Sequence, residues 1–312
     1  MKYLHLLNGD ATRVQFEGTS IPGNKAVWRE ILCEGPAVAD MESEAFWRLR
    51  GEFLLSLSKF SYEKHFARQQ ELVLELDFKP FDEVILWFEY DLFCQLNLLG
   101  VLSWLYKKGM HSSKRVSLVC IGEHSGYDKL VGLGEIDAKE YATLFENRIP
   151  LDQTDLKYGA DLWVLYCADD HQTFIDRIEE NHPKFSYLFQ AVECHQKRFP
   201  SIENGLNDIE QQMVEFIDEG IDEKRKVVRK MLRQENYYGF GDLQYFKILE
   251  KLAPLYKEKD GRISLNEDGK KVISGEMDFM KLITFFPKYG GVSVQDYRWS
   301  RKERRLALVN RL

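Results

Sequence analysis

No apolar run in this 312-residue chain reaches the about 18 residues that a spanning helix needs, so a membrane-embedded protein is not expected. The apolar start, Met1 to Leu7, runs straight into Asn8-Gly9-Asp10. A signal peptide needs a longer apolar region and a small-residue cleavage site, so the segment reads as a first strand of a cytoplasmic protein. Cysteine is scarce: Cys33, Cys94, Cys120, Cys167 and Cys194 are irregularly spaced, odd in number and without a C-x-x-C pair. That pattern excludes a disulfide framework and a spaced zinc site, and Cys94 and Cys120 sit in apolar runs as small hydrophobes would. His65, His171, His182 and His195 show neither H-x-x-x-H nor H-E-x-x-H spacing. There is no G-x-G-x-x-G fingerprint, no G-x-x-x-x-G-K-[ST] loop and no G-x-S-x-G elbow, which excludes the common nicotinamide, P-loop and serine-hydrolase readings. Internal repeats and low-complexity tracts are also missing.

What is present is enough apolar and aromatic material, 44% and 13%, to fill real cores, in a length that favours two domains. Net charge is −7, unevenly placed. Residues 191–312 hold 23 Lys and Arg against 20 Asp and Glu, leaving 20 against 30 in residues 1–190. The acidic first part is a poor surface for nucleic acid, whose affinity is dominated by phosphate contacts; the mildly basic last part suits one better.

Periodicity predicts strands at 3–7, 26–28, 84–88 and 115–121, and helices from near Met41, over roughly 61–76, and from Asp91 to about Lys108 with Gly109 as stop. The run Val84-Ile85-Leu86-Trp87-Phe88 is apolar on both faces, as a central parallel strand should be. Strand, helix and strand here make a βαβ unit. Residues 138–196 read as mainly helical. Three helices then follow, at 207–219, through Val227 to Leu232 and through Leu243 to Leu252, before a β-containing wing at 262–273. The expected architecture is a Rossmann-like α/β parallel-sheet domain over 1–135, a helical connector over 136–200, and a winged-helix-like domain over 201–312.

Four strand ends stop at polar clusters: Asn8-Gly9-Asp10, Trp28-Arg29-Glu30, Glu89-Tyr90-Asp91 and Gly122-Glu123-His124. In open α/β sheets, ligands bind in the crevice outside the carboxyl ends of the strands. Asp10, Glu89 and Asp91 are the candidate catalytic residues, because paired acids share acid–base work or hold Mg²⁺ through oxygen ligands. Asp10 and Asp91 also suit helix capping. Asn8, Gly9, Arg29, Glu30, Gln95 and Glu123 are the candidate ligand-binding residues. Arg29 can grip a phosphate with two parallel hydrogen bonds, or pair internally with Glu30 or Asp10. Gln95 lies one helical turn after Asp91 and shares its face. His124 suits proton transfer or mere exposure. Gly132-Leu133-Gly134 can let backbone amides approach an anion, and Arg148 can act as a clamp or a surface pair.

The segments L-H-L-L-N-G-D (4–10), W-R-E-I-L-C-E-G-P (28–36), W-F-E-Y-D-L-F-C-Q-L (87–96), C-I-G-E (120–123) and G-L-G (132–134) form one set. With F-P…N-G-L at 199–206, G-G-V at 290–292 and Y-R-W at 297–299, the chain resembles the bacterial domain of unknown function 1835 family over nearly its whole length. The resemblance implies an α/β architecture with a winged-helix-like extension after Pro200. It carries over candidate positions and no catalytic residue.

The expected ligand is a phosphorylated or nucleotide-like small molecule, with Arg29 on its anion. The alternative is a sensory or regulatory protein acting on DNA or a protein partner through its C-terminal domain. There the second of the three helices and the tail supply the basic residues, Lys224-Arg225-Lys226, Arg229-Lys230, Arg301-Lys302 and Arg304-Arg305, whereas the third opens with Gly241-Asp242-Leu243-Gln244-Tyr245.

Overall fold

The computed structural model describes residues 1–57, 62–234 and 237–309, without the side chains of residues 62, 63, 65 and 111. Residue 61, the expected start of a helix, and the His65 side chain lie outside the described residues. The chain divides into two compact units, Met1–Ala191 with Tyr289–Val292, and Val192–Lys288 with Ser293–Leu312.

In chain order the first unit runs β1 (Tyr3–Asn8), α1 (Asp10–Glu17), β2 (Asn24–Trp28), β3 (Gly35–Pro36), α2 (Glu44–Leu57), α3 (Tyr62–Glu75) and β4 (Glu83–Glu89). It continues with α4 (Leu92–Lys107), α5 (Met110–Ser113), β5 (Arg115–Ile121), α6 (Tyr141–Glu146), β6 (Ile149–Leu151), α7 (Gln153–Tyr166) and α8 (His171–Asp176). It is a mixed α/β unit whose main sheet has the order β2-β1-β4-β5-β6. β1 pairs in parallel with β2 and β4, and β4 with β5. β6 adds an antiparallel edge inside a stretch whose sequence reads as mainly helical. Three residues are too few to leave a strand pattern that stands out from helical flanks.

The chain leaves β1 on one side, to β2, and returns on the other, to β4, so the strand order reverses between β1 and β4. β4 is buried from Glu83 to Phe88, the both-faces burial that its unbroken apolar run demands. One sheet face carries a core of Leu7, Phe16, Ile85, Trp87, Val119 and Tyr141, among others. Trp87 stacks on Tyr141 at 5.4 Å and meets Phe16 edge-on at 5.2 Å. Each such fully buried side chain contributes about 1.5–3 kcal/mol. α4 is apolar nearly all round and packs along α7, which is how a helix without a polar face stays out of water. It stops where Gly109 takes φ 69, the left-handed conformation that an L side chain resists.

A late segment completes this unit. Gly35 and Pro36 pair in parallel with Tyr289 and Gly290 of β9 (Lys288–Gly290). A Cβ on Gly290 would meet the Tyr166 carbonyl oxygen at 2.2 Å, and one on Gly291 the Ala168 oxygen at 2.1 Å. Only glycine fits so close an approach of two backbones.

Across the boundary runs α9 (Leu188–Gln196), and the second unit holds α10 (Asp208–Asp218), α11 (Lys224–Leu232) and α12 (Asp242–Lys251). Asn207 caps α10 in a reciprocal capping box with Glu210. β7 (Tyr256–Lys259) and β8 (Arg262–Leu265) form an antiparallel hairpin over the turn Asp260-Gly261, followed by α13 (Glu267–Ile273). β10 (Val292–Ser293) joins β9 in a small three-stranded sheet, and β11 (Tyr297–Ser300) pairs with β12 (Arg305–Leu308). No helix among the described residues is long and apolar enough to cross a membrane.

Candidate functional site

The register sets all four polar strand ends side by side, in the order β2-β1-β4-β5. Asn8 lies opposite Trp28 in β2, Leu7 opposite Trp87 in β4, and Glu89 opposite Ile121 in β5. One step further along, Gly9 sits between the levels of Arg29 and Glu89, at the point where the strand order reverses. Gly9 has φ 94 and precedes α1, its N–H shared between the carbonyls of Leu7 and Trp28 at 3.1 and 3.0 Å. An added Cβ there would meet nothing within 4 Å, so the space over this turn is open.

Asp10 does not cap α1; Gly9 holds that position. The Asp10 carboxylate instead accepts two parallel bonds from Arg29, Nε to Oδ2 and NH2 to Oδ1, each 2.8 Å, and a third from Arg13 Nε at 3.2 Å. Those hydrogen bonds, Arg29 first, hold its carboxyl down at about 2. At neutral pH Asp10 is therefore a fixed anion between two guanidinium groups and a weak base.

Glu89 and Asp91 behave oppositely. Burial pushes the Glu89 carboxyl up, and the neighbouring acids Asp91 and Glu135 push it further. Burial also raises Asp91, against the backbone N–H of Cys94, which donates to Asp91 Oδ1 at 2.7 Å and makes Asp91 the cap of α4. Glu89 Oε1 accepts from Leu133 N–H at 2.9 Å. A Cβ on Gly132 would stand 2.6 Å from Glu89 Oε2, so the Gly132-Leu133-Gly134 loop lies directly on this carboxylate. Gln95 turns its Nε2 to the Glu89 carbonyl at 2.7 Å, holding the end of β4 against α4.

Cys94, a buried thiol raised by burial and by both acids, completes the cluster. Ligand atoms of Glu89, Asp91 and Cys94 all lie within 4.8 Å of one another. A chain of amides reaches the sulfur: Leu32 N–H donates to Asn97 Oδ1 (3.0 Å), Asn97 Nδ2 to Asn8 Oδ1 (3.0 Å), and Asn8 Nδ2 to Cys94 Sγ (2.9 Å).

Two candidates lie elsewhere. Glu30 turns inward, where its Oε2 accepts from Arg50 Nε and NH2 at 3.1 and 2.7 Å, both side chains being essentially unexposed. Glu123 is exposed, and its backbone N–H donates to the Tyr187 hydroxyl at 2.9 Å. His124 pairs with Glu140 at 2.5 Å, and Arg148 with Glu83 through Nε at 2.8 Å. Trp28 is buried core beside Trp104.

Sequence reasoning passed over Cys94, Asn97, Arg50 and Arg13. Cys94 had a usable signal: it stands three residues after Asp91, on the same helix face. Arg50 and Asn97 had none, since their partners are remote in sequence. No protein-family model matches the chain, and no curated protein matches it.

Proposed function

We propose that the first unit is a Rossmann-like, ligand-binding or enzymatic domain that handles a phosphorylated or nucleotide-like small molecule at the carboxyl ends of β1, β2 and β4. The observation that carries the reading is the pair Glu89 and Asp91, both raised, beside the open Gly9 turn at the reversal of strand order. Strongly shifted acids gather at functional sites, and open α/β sheets bind ligands at such a reversal. The crevice is also polarised. Arg13 and Arg29 flank the single carboxylate of Asp10 on the β1–β2 side, while Glu89, Asp91 and Glu135 make the β4 side acidic. A molecule with an anionic group at one end and hydroxyls or a bound cation at the other matches that gradient. Arg29 would meet the anion by yielding part of its grip on Asp10, and Glu89 with Asp91 would do acid–base work or hold a divalent ion such as Mg²⁺. We also take the chain to be a cytoplasmic relative of the domain of unknown function 1835 family, on the motifs given above.

The test is a thermal-shift screen of the full chain against nucleotides and sugar phosphates, since a ligand that binds only the folded state raises its stability. A stabilising compound is expected, and Glu89→Gln and Asp10→Asn should each abolish its effect. Shifts unchanged in both variants would overturn the assignment.

A regulatory reading has its own support in the second unit, taken as winged-helix-like from its three helices and hairpin. On α11, Lys224, Lys226 and Lys230 pair with Glu258, Glu223 and Glu219. Arg225, Arg229 and the following Arg233 are exposed, with no acid partner among the described residues. They recur every four residues, about 6 Å apart along one face, a stripe suited to a phosphate backbone. Salt-dependent DNA binding by the full chain, lost in the triple Arg→Ala variant, would favour this reading; no binding at low salt would remove it.

A further inference from the structure

Among the described residues the buried carboxylates are Glu30, Glu83, Asp91, Asp155 and Glu210. Four of them face a cation: Glu30 has Arg50, Glu83 has Arg148, Asp155 has Lys184 and Glu210 has Lys251. Asp91 is the exception, and among the described residues neither it nor the half-buried Glu89 beside it forms an ion pair with Lys or Arg. A buried acid is otherwise neutralised in this fold by a fixed positive charge, as the cost of burying an uncompensated one requires. The position a cation would fill beside Asp91 is bordered by a third donor, the Cys94 sulfur, 3.9 Å from Glu89 Oε2.

A second, independent feature reaches that sulfur. Leu32 N–H can only donate, so Asn97 must present Oδ1 to it; Asn97 Nδ2 then requires Asn8 Oδ1, and Asn8 is left with Nδ2 for the sulfur. The orientation of both amides follows from one backbone donor, and Cys94 Sγ accepts from Asn8 Nδ2 while its own S–H is directed at Glu89 Oε2. An amide fixed as a donor to the sulfur suits an outer-shell contact to a metal-bound thiolate once the thiol proton has left, although Gln95 Nε2 makes a like contact to Cys120 Sγ at 3.4 Å.

We propose that Glu89, Asp91 and Cys94 form a three-ligand centre for a thiophilic divalent transition metal, Zn²⁺ in class rather than Mg²⁺, with a fourth position open toward the Gly9 turn. This rests on the crevice being the functional site, and the sulfur is what chooses among the cations it would accept. Thiolate is a poor partner for Mg²⁺, which demands six near-ideal oxygen ligands, and a good one for Zn²⁺. Tetrahedral Zn²⁺ with bonds of about 2.3 Å to sulfur and about 2.0 Å to oxygen sets sulfur and oxygen about 3.5 Å apart. The 3.9 Å between Sγ and Oε2, with every ligand atom within 4.8 Å of the others, needs only a small closing movement. Each carboxylate already has an oxygen fixed by a backbone N–H, Asp91 Oδ1 by Cys94 and Glu89 Oε1 by Leu133. On binding, Cys94 releases its proton to solvent and the carboxylates release any they carry.

Cobalt(II), a spectroscopic substitute for Zn²⁺, tests this on the chelator-treated full chain. One equivalent should bind with a sulfur-to-cobalt charge-transfer band that excess Mg²⁺ does not remove. Cys94→Ser should lose the band while Cys120→Ser keeps it, and Asn8→Ala should weaken binding about 10- to 100-fold. Should Cys94→Ser not fold, Glu89→Gln must weaken Co²⁺ binding at least about tenfold, the scale of a lost outer-shell contact. No Co²⁺ or Zn²⁺ binding, a band surviving in Cys94→Ser, equal competition by Mg²⁺, or unchanged affinity in Glu89→Gln overturns the centre. A nucleotide or sugar-phosphate shift that persists without any metal binding would reject the centre alone and leave the crevice reading standing.

Discussion

Replacing His5 by Gln tests whether the strand pair beneath the site is acid-labile for the reason the geometry gives. His5 is fully buried on β1. Its Nδ1 accepts from Trp87 Nε1 at 3.1 Å, and since an indole N–H can only donate, the ring proton sits on Nε2, directed at the Pro22 carbonyl at 3.1 Å. Protonating Nδ1 would set two donors against each other inside the core. Burial is the main cause, and it lowers the ring from 6.5 to about 4. The unfolded chain therefore binds the proton more readily, and His5 contributes stability that is intact above pH 6.5 and lost as the pH falls toward 4. With one unit worth about 1.4 kcal/mol, the loss is about 2 kcal/mol between pH 7 and 5, and about 3 kcal/mol in full. In urea titrations, His5→Gln should be the less stable protein at pH 7, and its deficit should shrink by about 2 kcal/mol at pH 5. Other acid-sensitive groups, such as the buried His171, lowered to about 3, cancel in the comparison. A deficit of the same size at both pH values would refute the reasoning.

Further outcomes bear on the site and its supports. In chelator-treated protein, Glu89→Gln should raise the melting temperature at pH 8, because burial penalises the ionised Glu89 increasingly as pH rises and the amide does not titrate; a lower melting temperature would contradict this. Arg50→Ala should cost about 3–5 kcal/mol in denaturant titration, since it strands Glu30 in the core, and Arg50→Met with Glu30→Leu should recover most of that. Gly132→Ala should leave secondary structure by circular dichroism intact yet diminish ligand- or metal-induced thermal shifts, because its methyl group would displace the Glu89 carboxylate; shifts equal to those of the parent protein would show that the loop does not bear on the site.

The sequence by itself determined the parts whose causes are local. The unbroken apolar run at 84–88 made a buried central strand, Gly109 ended α4 in the left-handed conformation, and Asn207 began α10. Asp91 was a residue of two readings, cap and functional acid; it caps α4, and burial raises its carboxyl. Tertiary structure decided everything that depends on which remote segment faces which. Asp10 and Arg29 are joined through the β1–β2 register into an ion pair that disables Asp10 as a base. Glu30 is drawn away from the strand ends by Arg50, twenty residues on, and Cys94, which looked like core in its apolar run, stands against two acids because α4 starts beside Glu89. Local pattern records propensity and burial, which act through neighbouring residues; hydrogen bonds and charges act through space, and only the folded register of β1, β2, β4 and α4 sets those distances.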